Sequence, residues 1–421
     1  MRSGKIEVKA SGKALMLSAP ALLTLYALFQ DILILCVSLL ALLLFLCALI
    51  YAVRRVRWMA ERLSVKPESA SLRLVAGDTG TVKARVEAPK PVMLLAKHPL
   101  GFCTVKPQPI MSNSEFTLEF TPNLAGSYSS DRLDIESDVA AGLFAAKVSL
   151  PFKTEVAVIP RVIPAAVRAL ELIGSTASPG GSMYEYPLIH RVGRGTEYAE
   201  TREYAPGDDL RRVDWKATAR LQKLMIKHFH EEVGGEVNLI FDLKSAGPIS
   251  MDAAAAEFLN LATALSAGNI PYRITVVDAE NRIETLRFED WRQALLAAVK
   301  YALTSVKVDY TYLYDVIGPQ SSWELMLLTK IAGGETLLDS AALQKDRGWM
   351  DAVAVTCLIG DLTWLIDVWN EALKHGGRLI VHTPSKVWLD SPSLEEAYMD
   401  YQRQARILKT LRKRGIEVKV Y

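Results

Sequence analysis

The chain has almost no net charge and little cysteine. Its 49 lysines and arginines face 47 aspartates and glutamates, a formal net charge of +2 over 421 residues. The broad basic field that draws proteins to DNA or RNA is therefore absent, and no nucleic-acid partner is expected. The four cysteines, Cys36, Cys47, Cys103 and Cys357, form no CxxC pair, and the first two lie in an apolar run. That argues against a disulfide framework and against a thiolate zinc site. Catalytic signatures are missing too. There is no Gly-x-Ser-x-Gly elbow and no His-Glu-x-x-His helix, and the GRG at 193–195 is not followed by Lys-Ser or Lys-Thr as a phosphate loop requires. The six histidines are scattered apart from His228 and His230, whose spacing fits one polar face of a strand better than a metal site. The chain is expected not to be an enzyme.

What it does have is a long apolar run at one end. From Ala14 to Val53 the strongly polar side chains are Gln30 and Asp31. Roughly 40 helical residues extend about 60 Å, enough for two crossings of a bilayer core about 30 Å thick. The expectation is a transmembrane hairpin over residues 1–58, with helices at about 14–29 and 32–53 and a turn at Gln30 and Asp31. Arg2, Lys5, Lys9 and Lys13 precede it, Arg54, Arg55, Arg57 and Arg62 follow it, and its turn has no basic residue. By the positive-inside rule both termini and the soluble domains lie on the cytoplasmic side of the cell membrane, in a multi-pass protein in contact with the lipid bilayer. A cleaved signal peptide is disfavoured, because no clear small-residue cleavage site precedes Gln30.

Short strands come next. In TVKARVE, residues 81–87, and EFTLEF, residues 115–120, apolar and polar side chains alternate with the period of a half-buried strand. Further candidates at 71–75, 92–96, 132–136, 145–150 and 153–159, with turn signals between them, predict an antiparallel β-sandwich of immunoglobulin type over 62–160. Residues 161–201, broken by Pro164, SPGG and two glycines, read as a connecting segment. From Glu236 strand and helix alternate. Strands at 237–242, 272–278, 281–287, 352–359, 378–382 and 416–421 are joined by helices at 251–268, 288–304, 362–375 and 394–413, which predicts an α/β doubly wound domain within 202–421. Such sheets place function at the carboxyl ends of their strands, here marked by Asp242 and Asp361.

Between these regions runs REYAPGDDLRRVDWKATAR, residues 202–220, the densest charge in the chain. Pro206 and Gly207 suit a turn, Asp208 or Asp209 suits a helix cap, and Leu210, Val213, Ala217 and Leu221 recur at helical spacing. Residues 223–231 and 236–242, joined by VGGE, read as a hairpin adding a strand to the sheet. Two accounts stand side by side: an ion-pair clasp among Arg202, Asp208, Asp209 and Arg211, and a partner-docking surface with Arg212, Trp215 and Arg220 as anchors.

This run, with GTEYAE before it and LMIKHFHEEVGGEVNLIFD after it, closely resembles the signature of the domain of unknown function 58 family (DUF58). The resemblance implies a von Willebrand factor type A-like carboxy-terminal domain and association with a MoxR-type AAA+ ATPase or its client protein. Type A domains bind a divalent cation through Asp-x-Ser-x-Ser, a threonine and a second aspartate. Aligned on Asp242, this chain reads Asp242, Leu243, Lys244, Ser245, Ala246. An ammonium and a methyl stand where two hydroxyls should be, although Mg2+ needs several oxygens. No cofactor is expected. The candidate ligands of a degenerate Mg2+ site are Asp242, Asp361 and, out of register, Ser245; no threonine is assigned, and Lys244 can replace the metal by pairing with either aspartate. The functional expectation is a membrane-anchored, non-catalytic adaptor, the alternative a membrane-bound enzyme or metal-dependent receptor at Asp242 and Asp361.

Overall fold

A computed structural model describes residues 4–174, 192–193, 197–203, 213–230, 236–307 and 351–421. The chain is multidomain, dividing into two compact units, Met1–Pro160 and Arg161–Tyr421.

In the first unit a strand comes before the apolar helices: Gly4–Val8 (β1), then Ala10–Phe29 (α1) and Ile32–Arg62 (α2). The two helices are long and apolar enough to cross a membrane. Their junction follows from local chemistry. Gln30 takes a left-handed conformation, and the Asp31 carboxylate caps α2 by accepting from the Leu33 amide at 2.8 Å. Both helices outrun their expected bounds. α1 starts at Ala10 rather than Ala14, and α2 continues nine residues past Val53 to Arg62. The extension is amphipathic: Ala52, Val56, Met59 and Leu63 are buried in the core of the unit while Arg54 and Arg57 are exposed. The helices are therefore not a module separate from the strands.

The strands are Ser64–Lys66 (β2), Ser69–Val75 (β3), Gly80–Glu87 (β4), Met93–Lys97 (β5), Cys103–Lys106 (β6), Ile110–Met111 (β7), Glu115–Phe120 (β8), Gly126–Val139 (β9) and Phe144–Ile159 (β10). They form a sheet of order β1-β10-β9-β5-β7, with β3 also on β10, and a second of order β2-β4-β8-β6. The pairings are antiparallel except β3 with β10, which is parallel. Alternation decides which side chains meet between the sheets: Phe116, Leu118 and Phe120 of β8 share one core with Leu133 and Ile135 of β9. The expected strands at 145–150 and 153–159 are one strand whose register shifts between Pro151 and Thr154.

The second unit begins with a helix, Val162–Gly174 (α3), whose Val162, Ile163, Ala165, Ala166, Ala169 and Leu170 are buried. The connecting segment expected at 161–201 is thus helical over its first third. Val192–Gly193 (β11), Glu197–Glu203 (β12), Trp215–Leu221 (α4) and Met225–His230 (β13) follow. β11, β13 and β12 make a small sheet of their own, with β13 antiparallel to both neighbours. The expected hairpin across VGGE is corrected accordingly: β13 takes its hydrogen bonds from β12, and the next strand joins a different sheet.

That sheet comprises Val237–Asp242 (β14), Tyr272–Val277 (β15), Ile283–Leu286 (β16), Ala352–Val355 (β17), Leu379–Thr383 (β18) and Glu417–Val420 (β19), in the order β16-β15-β14-β17-β18-β19. All its pairings are parallel but the edge pairing of β15 with β16. The connecting helices are Pro248–Ala267 (α5), Trp291–Val306 (α6), Thr363–Lys374 (α7) and Leu394–Lys413 (α8). They cover both faces. Phe241 stacks on Phe258 of α5 with ring centroids 4.5 Å apart, whereas Ile240, Ala354 and Val381 share a core with Trp364, Leu365 and Leu411 of α7 and α8. Burial on both sides is why these strands read as continuous apolar runs.

Candidate functional site

From β14 the chain moves outward to β15 and β16, then crosses back to lay β17 on the other side of β14. The carboxyl ends of β14 and β17 therefore flank a point where strand order reverses, the place where open α/β sheets form a crevice. Asp242 ends β14 and is fully buried. Its Oδ2 accepts from the Thr356 hydroxyl at 2.8 Å and its Oδ1 from the Lys244 amide at 3.1 Å. Burial pushes the Asp242 carboxyl up to about 6, against those two hydrogen bonds and the Lys244 charge.

The Lys244 ammonium lies at this reversal point. It donates to Asn281 Oδ1 and, at 2.8 Å, to the main-chain oxygen of Asp361, and it lies 4.0 Å from Asp242 Oδ1. The Trp364 ring centroid is 5.9 Å from it. Asn281, from the turn after β15, donates to Asp361 Oδ2 at 3.0 Å. Asp361 Oδ1 accepts from the Thr363 amide at 3.0 Å and its hydroxyl at 2.5 Å, and these bonds, with Lys244 and Asn281, hold its carboxyl below the usual range. Three neighbouring strand ends are thus tied through one lysine.

An ammonium and a divalent cation cannot share this space. The donor set, with both Asp242 oxygens and the Asp361 Oδ1 already engaged, does not suit Mg2+ while Lys244 is in place. Ser245 is half-buried and takes no part in these hydrogen bonds. Among the described residues no group of three or more His, Cys, Asp or Glu side chains is arranged to hold a metal. Of the expected residues, Asp242, Lys244 and Asp361 come together. Thr356, Asn281, Thr363 and Trp364 were missed. Thr356 had one available signal, its position immediately after the apolar run AVAV.

The charged run is only partly described. Arg202 lies on β12 opposite Ile226, its side chain outside the described atoms, and Asp208, Asp209, Arg211 and Arg212 lie outside the described residues. Around α4 the expectation is corrected. The helix does not run from Leu210, since Val213 bridges Ile226 and Asp214 is the N-cap, accepting from the Lys216 and Ala217 amides at 3.1 and 3.0 Å. A short carboxylate that satisfies two orphan amides ends the preceding extended segment and starts the helix there. Trp215 is 73% exposed, and Arg220 is exposed.

The charged run and the first α/β repeat are also where a family model matches. Residues 200–288 match the family described as protein of unknown function DUF58. The match takes in the end of β12, α4, β13, Asp242, Lys244 and Asn281. Uncharacterized proteins of Mycobacterium bovis and Mycobacterium tuberculosis are 35% identical over 105 residues, 25% of this chain and 32% of theirs. The chain thus spans about a third of the length of these relatives. A family 123 glycoside hydrolase from Clostridium perfringens aligns over 85% of this chain and 71% of its own at 9% identity, with a TM-score of 0.14.

Proposed function

We propose that this protein is a membrane-anchored, cytoplasm-facing, non-catalytic adaptor, whose von Willebrand factor type A-like domain engages a MoxR-type AAA+ ATPase or that ATPase's client. The observation that carries this reading is Lys244 at the strand-order reversal. Where such a sheet would hold a metal or a reacting group, the side chains satisfy one another and hold three strand ends in one rigid surface. Nearby, Cys357 is a poor nucleophile, because burial pushes its thiol up to about 12.

The anchoring part of the reading rests on the exposed leucines, isoleucines and other apolar side chains of α1 and α2, from Met16 to Tyr51. Strands β1 and β2, at the two outer ends of the hairpin, belong to one compact unit, which supports the reading that both ends of the hairpin emerge on the same side of a bilayer. With the positive-inside rule that side is the cytoplasm. The strands of this unit fit a β-sandwich of immunoglobulin type, serving as a spacer. Exposed Trp215 and Arg220 are of the residue types that anchor interfaces.

Purification of the full chain from its native membrane tests the proposal. An ATPase should co-elute with the wild type and be lost with Trp215→Ala or Arg220→Glu while the protein stays folded. Turnover, or stoichiometric magnesium, that disappears with Asp242→Ala would instead establish the enzyme or receptor reading.

A further inference from the structure

The turn between β9 and β10 rests on the foot of the apolar hairpin. β1 runs antiparallel to β10 from Gly4 opposite Val148 to Val8 opposite Phe144, and α1 starts two residues later. Across that junction the Lys9 amide donates to the Leu143 oxygen at 3.1 Å and the Ser11 hydroxyl to the Gly142 oxygen at 2.7 Å. Gly12 comes so close that a β-carbon there would lie 2.3 Å from the Leu143 oxygen. Phe144 meets Phe45 of α2 with ring centroids 5.6 Å apart. The exposed apolar band of α1 begins at Met16, four residues beyond Gly12, or about 6 Å along the helix axis.

The composition of the turn does not suit water. The turn itself, residues 140–143, reads AAGL, without one polar side chain, between the buried strand ends Val139 and Phe144, and Ala140, Ala141 and Gly142 all have positive φ, at 53°, 53° and 83°. Left-handed positions facing water ordinarily use Asn, Asp or Gly, whose local hydrogen bonds or missing side chain offset a cost of about 1 kcal/mol per residue. Ala141 is exposed and Leu143 half-buried. On the helices, the basic residues next to the apolar band are Lys13 on α1 and exposed Arg54 and Arg57 on α2, whereas Lys9 is paired with Asp138.

We propose that the β9–β10 turn is a lipid-contact element. It lies in the headgroup layer of a phospholipid bilayer, with Lys13, Arg54 and Arg57 facing anionic headgroups, so that the two-sheet unit is mounted on the membrane surface without a flexible tether. This rests on the reading of α1 and α2 as membrane-spanning. It adds a contact that the helices alone do not require, and it makes the first unit a fixed platform of defined height.

Fluorophore depth in the full chain decides it. An environment-sensitive dye is attached at Ala141→Cys, at Leu40→Cys on the exposed face of α2, or at Asn123→Cys just before the opposite end of β9, about 40 Å away along the strand. The labelled variants and their blank carry Cys36→Ala and Cys47→Ala, since both of those cysteines are exposed on α2; the Cys103 and Cys357 thiols, both pushed up to about 12 by burial, react slowly. In vesicles of phosphatidylcholine and phosphatidylglycerol, position 40 should be quenched by a bilayer-centre nitroxide lipid. Position 141 should be quenched several-fold more by a headgroup nitroxide lipid than position 123, with blue-shifted emission. Aqueous iodide quenching 141 as fast as 123, with position 40 still deep, would overturn the lipid contact and leave the spanning helices standing. If position 40 is also aqueous, both fall.

Discussion

Lys244 is the residue on which the carboxyl edge of the sheet depends. Replacing it with methionine keeps much of the stem but removes the donor to Asn281 and to the Asp361 oxygen, and leaves Asp242 buried without its nearest cation. A loss of about 1 kcal/mol is expected in denaturant unfolding, mostly the cost of leaving the buried Asp242 carboxylate without its nearest cation, since Asp361 is exposed and water can take the lysine's place there. Lys244→Ser is more telling, since it removes the ammonium and restores a hydroxyl at that place. Magnesium should raise the Tm of Lys244→Ser and leave that of the wild type unchanged; a wild-type shift would sink the proposed role of the lysine. Asp242 itself sets a pH dependence. Its folded-state value, about 6, lies above the ordinary 3.8, so the native state binds the extra proton and this group's contribution to stability falls as pH rises. Between pH 5 and 7 the wild type should lose about 1 kcal/mol relative to Asp242→Asn, a difference that cancels the titration of every other group. Asp361 has the opposite sign, its lowered carboxyl stabilising at neutral pH and losing that effect in acid.

At the scale of elements, helix ends are decided by single side chains. Asp214 caps α4 with two hydrogen bonds, so Asp214→Ala should cost about 1 kcal/mol and speed amide exchange in Trp215–Leu221. If Trp215 docks a partner, the same change should weaken that binding without touching the tryptophan. Asp252 of α5 reaches the start of α3, accepting from the Arg161 and Val162 amides at 2.9 and 3.1 Å, and so ties the first helix of the second unit to its sheet layer. β14 and β15 were legible because all six residues of each are covered on both faces, and α8 because its twenty residues set Ile407, Leu408 and Leu411 on the covered side of an otherwise polar helix. α3 was not, since Pro164 and the glycines beyond it read as a linker. Pro164 sits in the first turn of α3, where a missing amide hydrogen costs nothing. The VGGE hairpin failed for a different reason: turn chemistry shows that strands can reverse but not which partner has the better free edge.

At the scale of the whole molecule, the hairpin and the two-sheet unit are one body because α2 runs on into the core. Gly12→Ala should force α1 off the β9–β10 turn and lower the Tm of the detergent-solubilised protein, whereas the same change at open Gly101 should not. Orientation is checked by protease. Added outside intact cells it should leave the carboxy-terminal unit whole, and digestion of that unit would end the cytoplasmic reading. By itself the sequence determined what local periodicity and composition can carry: two apolar helices, alternating strands, then strand and helix in turn, with aspartates at strand ends. Only the tertiary structure decided that residues 4–8 complete a sheet edge and that Asp242 meets Thr356, 114 positions away. It alone placed the lysine nitrogen where three strand ends converge. The physical reason is that hydrophobic spacing records which face of a segment is covered, but register and strand order are set by pairing between distant segments, and no window along the chain contains both partners.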